Sequence, residues 1–239
     1  MNVENLLQKL IETIEKQTQD NRDAIYNVMW KENTVPILVL KRELERSADY
    51  AEKNMPGVTY FTSGNKSLFL DSIPDMLTLD GYFAEFGVWN GDSINYLASL
   101  FNPKIIWGFD SFFGLEENFS IDHLKKGFSL NGTPPLVRDN VSLVTGSFSK
   151  TLPVWLNEHS GVFSFLNIDC DTYEATSTVL NFLGPKRIVS GTVILFDEYF
   201  GFPGWKDHEF KAWQEYCNKN NTKYKYLAVN CMQVLVQVL

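Results

Sequence analysis

The segment Glu85-Phe86-Gly87-Val88-Trp89-Asn90-Gly91-Asp92-Ser93 follows an apolar run and precedes a helical one. Its glycines allow a tight turn and let a ligand approach the backbone. Ser93 or Asp92 can cap the following helix, expected over Ile94 to Leu100. The pattern is not G-x-G-x-x-G, and it carries carboxylates at Glu85 and Asp92. Two acids there repel a pyrophosphate and compete for the helix N-terminus that would hold one. Asp110 ends the next apolar run, 25 residues on from Glu85, where an acid accepts hydrogen bonds from a ribose diol. A cofactor with a ribose, an ammonium and no phosphate fits, which describes S-adenosylmethionine. The alternative is that Glu85 and Gly87 only shape a turn.

Further along stand Asp169-Cys170-Asp171 and Asp197-Glu198, each closing an apolar run. If those runs are adjacent parallel strands, their acids converge without basic neighbours and repel. A hard divalent cation such as Mg²⁺ or Ca²⁺ removes the conflict. Otherwise Asp171 caps the helix beginning near Thr172, and Asp197 hydrogen-bonds loop amides. For proton transfer the histidines are few. His123 lies in the long stretch from Gly114 to Asn140, which reads either as a lid carrying a general base or as an exposed loop. His208 either touches substrate or starts the helix HEFKAWQEY, and His159 at a helix end reads as structural. Phe112, Phe113, Tyr199, Phe200, Phe202 and Trp205 follow two of the strands and read either as a pocket mouth where a sugar or ring stacks or, equally, as ordinary loop packing.

The elements that must position these groups follow from periodicity. From Gly81 onward YFAEFGVW, KIIWGFDSF, VSLVTGSF, FSFLNIDCD and GTVILFDEY alternate with helical stretches. Continuous apolar runs are strands buried on both faces of a parallel sheet. YKYLAV and QVLVQVL lie too close for a parallel crossover and must form an antiparallel hairpin. The expected fold is α/β and Rossmann-like, with parallel strands, a C-terminal antiparallel hairpin, helices on both faces and an N-terminal helical extension. Residues 1–80 form that cap or oligomerisation segment, and 81–239 the cofactor-binding domain. In the former, Leu6, Leu7, Leu10, Ile11 and Ile14 share one helical face, to pack on the domain or on a second copy. A second helix covers Val35 to Lys53, Tyr60 to Lys66 reads as a polar loop, and a third helix runs from about Lys66 to Leu77.

Composition limits the partners. A net charge of −8 argues against nucleic acid. No apolar stretch is long enough to span a membrane. Three widely spaced cysteines form neither a disulfide framework nor a zinc pattern, which fits a reduced cytoplasmic setting.

The loop and strand pattern resembles a class I S-adenosylmethionine-dependent methyltransferase. EFGVWNGDS, FDSFFGLEE, LVTGSFSKTLP, NIDCDTYEAT and LFDEYFGFPGW resemble the macrocin O-methyltransferase (TylF-type) family, which is metal-dependent and methylates sugar hydroxyls. The resemblance implies a cofactor surface of Glu85, Gly87, Trp89, Gly91, Ser93, Asp110, Ser111, Phe112 and Asp169. Gly146, Ser147 and Phe148 would lie near the adenine, and Thr62 and Ser63 over the methionine end. It implies Asp169, Asp197 and Glu198 as ligands of Mg²⁺, with Glu198 standing where the family has Asp or Asn. The catalytic candidates are His123, Asp169 and His208; the lysine that catechol-type enzymes carry is absent from CDTYEAT. The acceptor would be a small hydroxylated molecule. A non-catalytic S-adenosylmethionine-binding module and an NAD-dependent oxidoreductase are the competing readings.

Overall fold

In a computed structural model the chain is described over residues 3–26, 34–62, 66–115 and 127–239. It forms two compact units, Met1–Ala48 and Asp49–Leu239. The first holds helix α1 (Val3–Tyr26) and most of α2 (Val35–Asn54). Leu6, Leu7, Leu10, Ile11 and Ile14 of α1 are exposed. None of the described helices is long and apolar enough to cross a membrane.

The second unit is built on one sheet of eight strands. In chain order its elements are β1 (Thr59–Phe61), α3 (Lys66–Asp71), β2 (Tyr82–Phe86), α4 (Asp92–Leu100), β3 (Ile106–Asp110) and β4 (Val141–Thr145). They continue with α5 (Phe148–Glu158), β5 (Phe163–Ile168), α6 (Tyr173–Arg187), β6 (Val193–Phe196), α7 (Glu209–Asn220), β7 (Tyr224–Asn230) and β8 (Gln233–Val238). Spatially the order is β1-β7-β8-β6-β5-β2-β3-β4. Strands β4, β3, β2, β5 and β6 pair in parallel. β8 then inserts antiparallel between β6 and β7. The expected five parallel strands and closing hairpin are therefore present.

Two expectations near the start of this unit are corrected. The supposed loop at Tyr60 contributes β1, an edge strand parallel to β7, with Tyr60 opposite Val229. The third helix stops at Asp71, and Pro74–Met76 is a separate 3₁₀ turn. Proline brings no N–H to continue the helical ladder.

Burial explains why the strands read as apolar runs. Every residue of β5 and β6 is buried, because helices cover both faces. Side chains alternate along each strand. Phe83 points to one face, where Phe69 and Leu70 of α3 and Ile94 and Leu97 of α4 pack. Ala84 and Phe86 point to the other, against Leu152 and Trp155 of α5, Val179 and Leu180 of α6 and Trp213 of α7.

Trp155 anchors the second face. Its ring lies 4.1 Å from and parallel to that of His159, and edge-on to Tyr82, Trp107 and Phe109. His159 Nδ1 is also 2.8 Å from the Trp155 carbonyl, so His159 has the structural role expected of it. Trp155→Ala should cost about 3–5 kcal/mol of stability. Urea unfolding should show a lower midpoint at unchanged slope. A midpoint equal to wild type would contradict this packing account.

Candidate active site

The carboxyl ends of the parallel strands surround a cavity of about 480 Å³. Open α/β sheets bind ligands at that edge. Its wall takes Gly87 to Asn90 with Asp92 and Ser93 after β2, and Asp110, Ser111, Gly114, Leu115 and Phe128 after β3. Gly146 to Ser149 follow β4, Asp169 to Thr172 follow β5, and Asp197 and Glu198 follow β6.

The β2 loop is shaped by its neighbours. Gly87 has φ +92, and a Cβ there would lie 1.6 Å from the Asp169 carbonyl oxygen. The Asp169 amide donates to the Phe86 carbonyl at 2.9 Å, closing this crossing of chains. Asp110 draws the loop the other way. Its Oδ2 accepts the Val88 and Trp89 amides, each at 2.8 Å, and its Oδ1 accepts the Phe112 amide at 2.7 Å. A carboxylate offers about four lone-pair sites, so a hydroxyl can still be received. Gly91, at φ +85, is the N-cap of α4 and has no side chain to cap with. The expected capping by Ser93 or Asp92 is thus corrected. The Ser93 hydroxyl donates instead to Glu85 Oε1 at 2.9 Å.

Glu85 has no exposed surface. Its Oε2 accepts from the Asn167 side-chain amide at 3.0 Å, which ties β2, β5 and α4 together behind the wall. The carboxylates that face the cavity beside the loop are Asp92 and Asp110.

At the other side, Asp169, Asp197 and Glu198 each present an oxygen within 4.8 Å of the others'. The extra methylene of Glu198 does not remove it from the group. The Gln233 side-chain amide donates to Asp197 Oδ1, and Asn230 donates to Gln233 Oε1 at 3.0 Å. Beneath them, Glu209 of α7 is fully buried and accepts the Glu198 amide at 3.0 Å. Burial first, then the charges of Asp197 and Asp169, push the Glu198 carboxyl well above the usual range. Glu209 is pushed up by burial, and the amides of Glu198 and Cys170 aimed at it oppose the rise. Burial and then Glu209 raise the Cys170 thiol. Thr172 caps α6 by accepting the Ala175 amide, so the expected capping by Asp171 is corrected. Asp171 stands on the wall at φ +60. The described wall residues include no lysine, arginine or histidine.

The sequence matches the family model described as Macrocin-O-methyltransferase (TylF) over residues 3–237. The chain belongs to the macrocin O-methyltransferase family. A relative from Streptomyces olivaceus, 8-demethyl-8-(2,3-dimethoxy-alpha-L-rhamnosyl)-tetracenomycin-C 4'-O-methyltransferase, is 24% identical over 217 residues, covering 76% of this chain and 82% of its own. Among solved structures, the calicheamicin methyltransferase CalS11 has the same fold. It matches with TM-score 0.59 and 23% identity, over 72% of this chain and 77% of that one. The apo form, named as a TDP-rhamnose 3'-O-methyltransferase, gives TM-score 0.52 and 24% identity over the same shares. As a family member the chain is an S-adenosylmethionine-dependent methyltransferase. An NAD-dependent oxidoreductase is set aside.

Seen as a macrocin O-methyltransferase, the chain brings Gly87, Trp89, Ser93, Asp110, Ser111, Gly146, Ser147, Phe148 and Asp169 to one cavity, with Asp197 and Glu198. Glu85 and Gly91 support the loop without lining the wall. Phe112 is fully buried in the core. Thr62 follows β1 at the sheet edge opposite β4 and does not reach the cavity. Ser63 and His123 fall outside the described residues. His208 is off the wall, at the start of α7 with its ring 5.7 Å from Phe202, and burial lowers its pKa. The aromatic mouth is also corrected. Tyr199, Phe200 and Trp205 are buried with Tyr50 and Phe210, and Phe113, an exposed ring beside Gly132, is not on the wall. Trp89 and Phe128 line the cavity instead, edge to face at 5.2 Å. Sequence reasoning missed Phe128, Asn167, Gln233 and Glu209. Glu209 alone left a signal, an acid within HEFKAWQEY beside buried helix positions.

Gly87→Ala should abolish cofactor binding, since the methyl overlaps the Asp169 carbonyl. Calorimetry with S-adenosylmethionine checks this, and native affinity in the variant would refute the crowding argument.

Proposed function

We propose that the chain transfers the methyl group of S-adenosylmethionine to a sugar hydroxyl of a glycosylated small molecule, assisted by a divalent cation. The observation that carries this reading is the placement of three converging carboxylates on the same cavity wall as the β2 loop. The donor set fits a hard cation. All three ligands are oxygens, and Glu198 Oε2 is buried without a hydrogen-bond partner. Asp169, Asp197 and Glu198 would hold the ion, with Gln233 orienting Asp197. When bound, the ion supplies Lewis acidity that stabilises a deprotonated hydroxyl.

The chain's own residues supply the rest. Asp110 and the loop it pins would receive the ribose. Gly146 and Ser147 leave room for the adenine. Trp89 and Phe128 offer ring faces to a sugar. Two of the relatives, the tetracenomycin enzyme and CalS11, are named for rhamnose-containing acceptors, which supports a sugar acceptor. Neither His208 nor any other described histidine is on the wall to take the proton. We assign that role to Asp171, a wall carboxylate two residues from Asp169. Positioning of the two reactants in line then provides much of the acceleration.

The experiment is turnover with S-adenosylmethionine and a panel of rhamnosylated aromatic acceptors, with Mg²⁺ or with chelator, read by mass spectrometry. Methylation that requires Mg²⁺ supports the reading, and cofactor binding without methylation of any hydroxyl would overturn it. Asp110→Ala should weaken S-adenosylmethionine binding at least about tenfold, by analogy with other lost charge-assisted hydrogen bonds. Asp197→Ala should keep that affinity and lose Mg²⁺-dependent turnover. Equal cofactor loss in both would refute this division. Asp171→Asn should bind cofactor and Mn²⁺ as wild type while kcat falls by about 10²–10⁴. An unchanged kcat removes Asp171 from the role.

A further inference from the structure

Glu209 is not one of the three converging carboxylates and does not line the cavity. Yet it is an acid with no exposed surface, close enough to Asp197, Asp171 and Glu198 to feel their charges. Carboxylates are almost never fully buried without a partner, because desolvation opposes them. An apolar residue would open α7 at lower cost. The carboxylate meets backbone amides of both acidic loops: the Cys170 amide is aimed at it, and Oε2 accepts the amide of Glu198 at 3.0 Å.

The neighbouring amides show the context. Asp197 N–H donates to the Ile168 carbonyl at 3.0 Å, and Tyr199 N–H to the Met232 carbonyl at 3.0 Å. Three successive amides of the loop after β6 are thus held by three different parts of the fold. The outer two use main-chain acceptors. The middle one, at Glu198, depends on a side chain. We infer that Glu209 is a positioning residue that fixes the backbone of Glu198, so that its carboxylate joins Asp169 and Asp197 in holding the cation. This rests on the metal-assisted reading above. The anchor matters more at Glu198 than at an aspartate, because a longer side chain has one more rotatable bond to order.

The test measures Mn²⁺ binding by electron paramagnetic resonance on the full chain, with S-adenosylmethionine affinity by calorimetry and the thermal midpoint alongside. Glu209→Met fills similar volume but removes the acceptor, while Glu209→Gln keeps one. The Met variant should bind Mn²⁺ about 10- to 100-fold more weakly with cofactor affinity unchanged, and the Gln variant should bind it close to wild type. A Met variant that binds Mn²⁺ like wild type overturns the inference. So does one that fails to fold or loses cofactor and Mn²⁺ together, since Glu209 would then be a plain structural residue. Wild-type protein that binds no Mn²⁺ instead sinks the metal reading itself, and this is seen before any variant is made.

Discussion

The carboxyl ends of β2 and β5 cross so closely that no side chain fits between Gly87 and the Asp169 carbonyl. That approach, closed by the hydrogen bond from the Asp169 amide to Phe86, sets the distance between the two halves of the site. On one side Asp110 gathers the loop amides, and on the other Asp169 starts the acidic group. Were the crossing looser, the loop and the carboxylates would no longer face one space. Glu85, joining Ser93 and Asn167 directly behind it, stiffens the same junction with buried hydrogen bonds.

Much of this was legible in the sequence because it depends on period and position. Apolar runs of FSFLNI and VILF kind announce strands buried on both faces, and an acid just after such a run falls at the carboxyl edge of the sheet. Asp110, Asp169, Asp197 and Glu198 were located that way. The short gap between YKYLAV and QVLVQVL required a hairpin. Direction of a side chain is harder to read. Glu85 and Phe112 occupy positions that looked like wall, but strand alternation and a positive φ at Phe112 turn them inward.

The aromatics after β6 misled for a related reason. A ring near a strand end serves a pocket or a core equally well by composition, and here Tyr199, Phe200 and Trp205 meet Tyr50 and Phe210 from elements distant in sequence. The hydroxyl of Tyr199 also joins those of Tyr50, Tyr224 and Tyr226 through Tyr226. Long-range partners of this sort leave no local periodic mark. Gln233 was hidden likewise, since it acts on Asp197, more than thirty positions away, and the acid at Glu209 showed in the sequence without its partner.

β8 is the last strand in the chain and yet lies between β6 and β7 in the sheet. Its Gln233 is what fastens Asp197, and the turn before it supplies the Met232 carbonyl to Tyr199. The acidic loop is therefore held in part by a strand that follows it by more than thirty residues. The β2 loop is held by contacts among β2, β3 and β5, whereas the acidic group also needs this inserted strand. A substitution in β8 far from the cavity can therefore reach the acidic group through the sheet, while leaving the β2 loop alone.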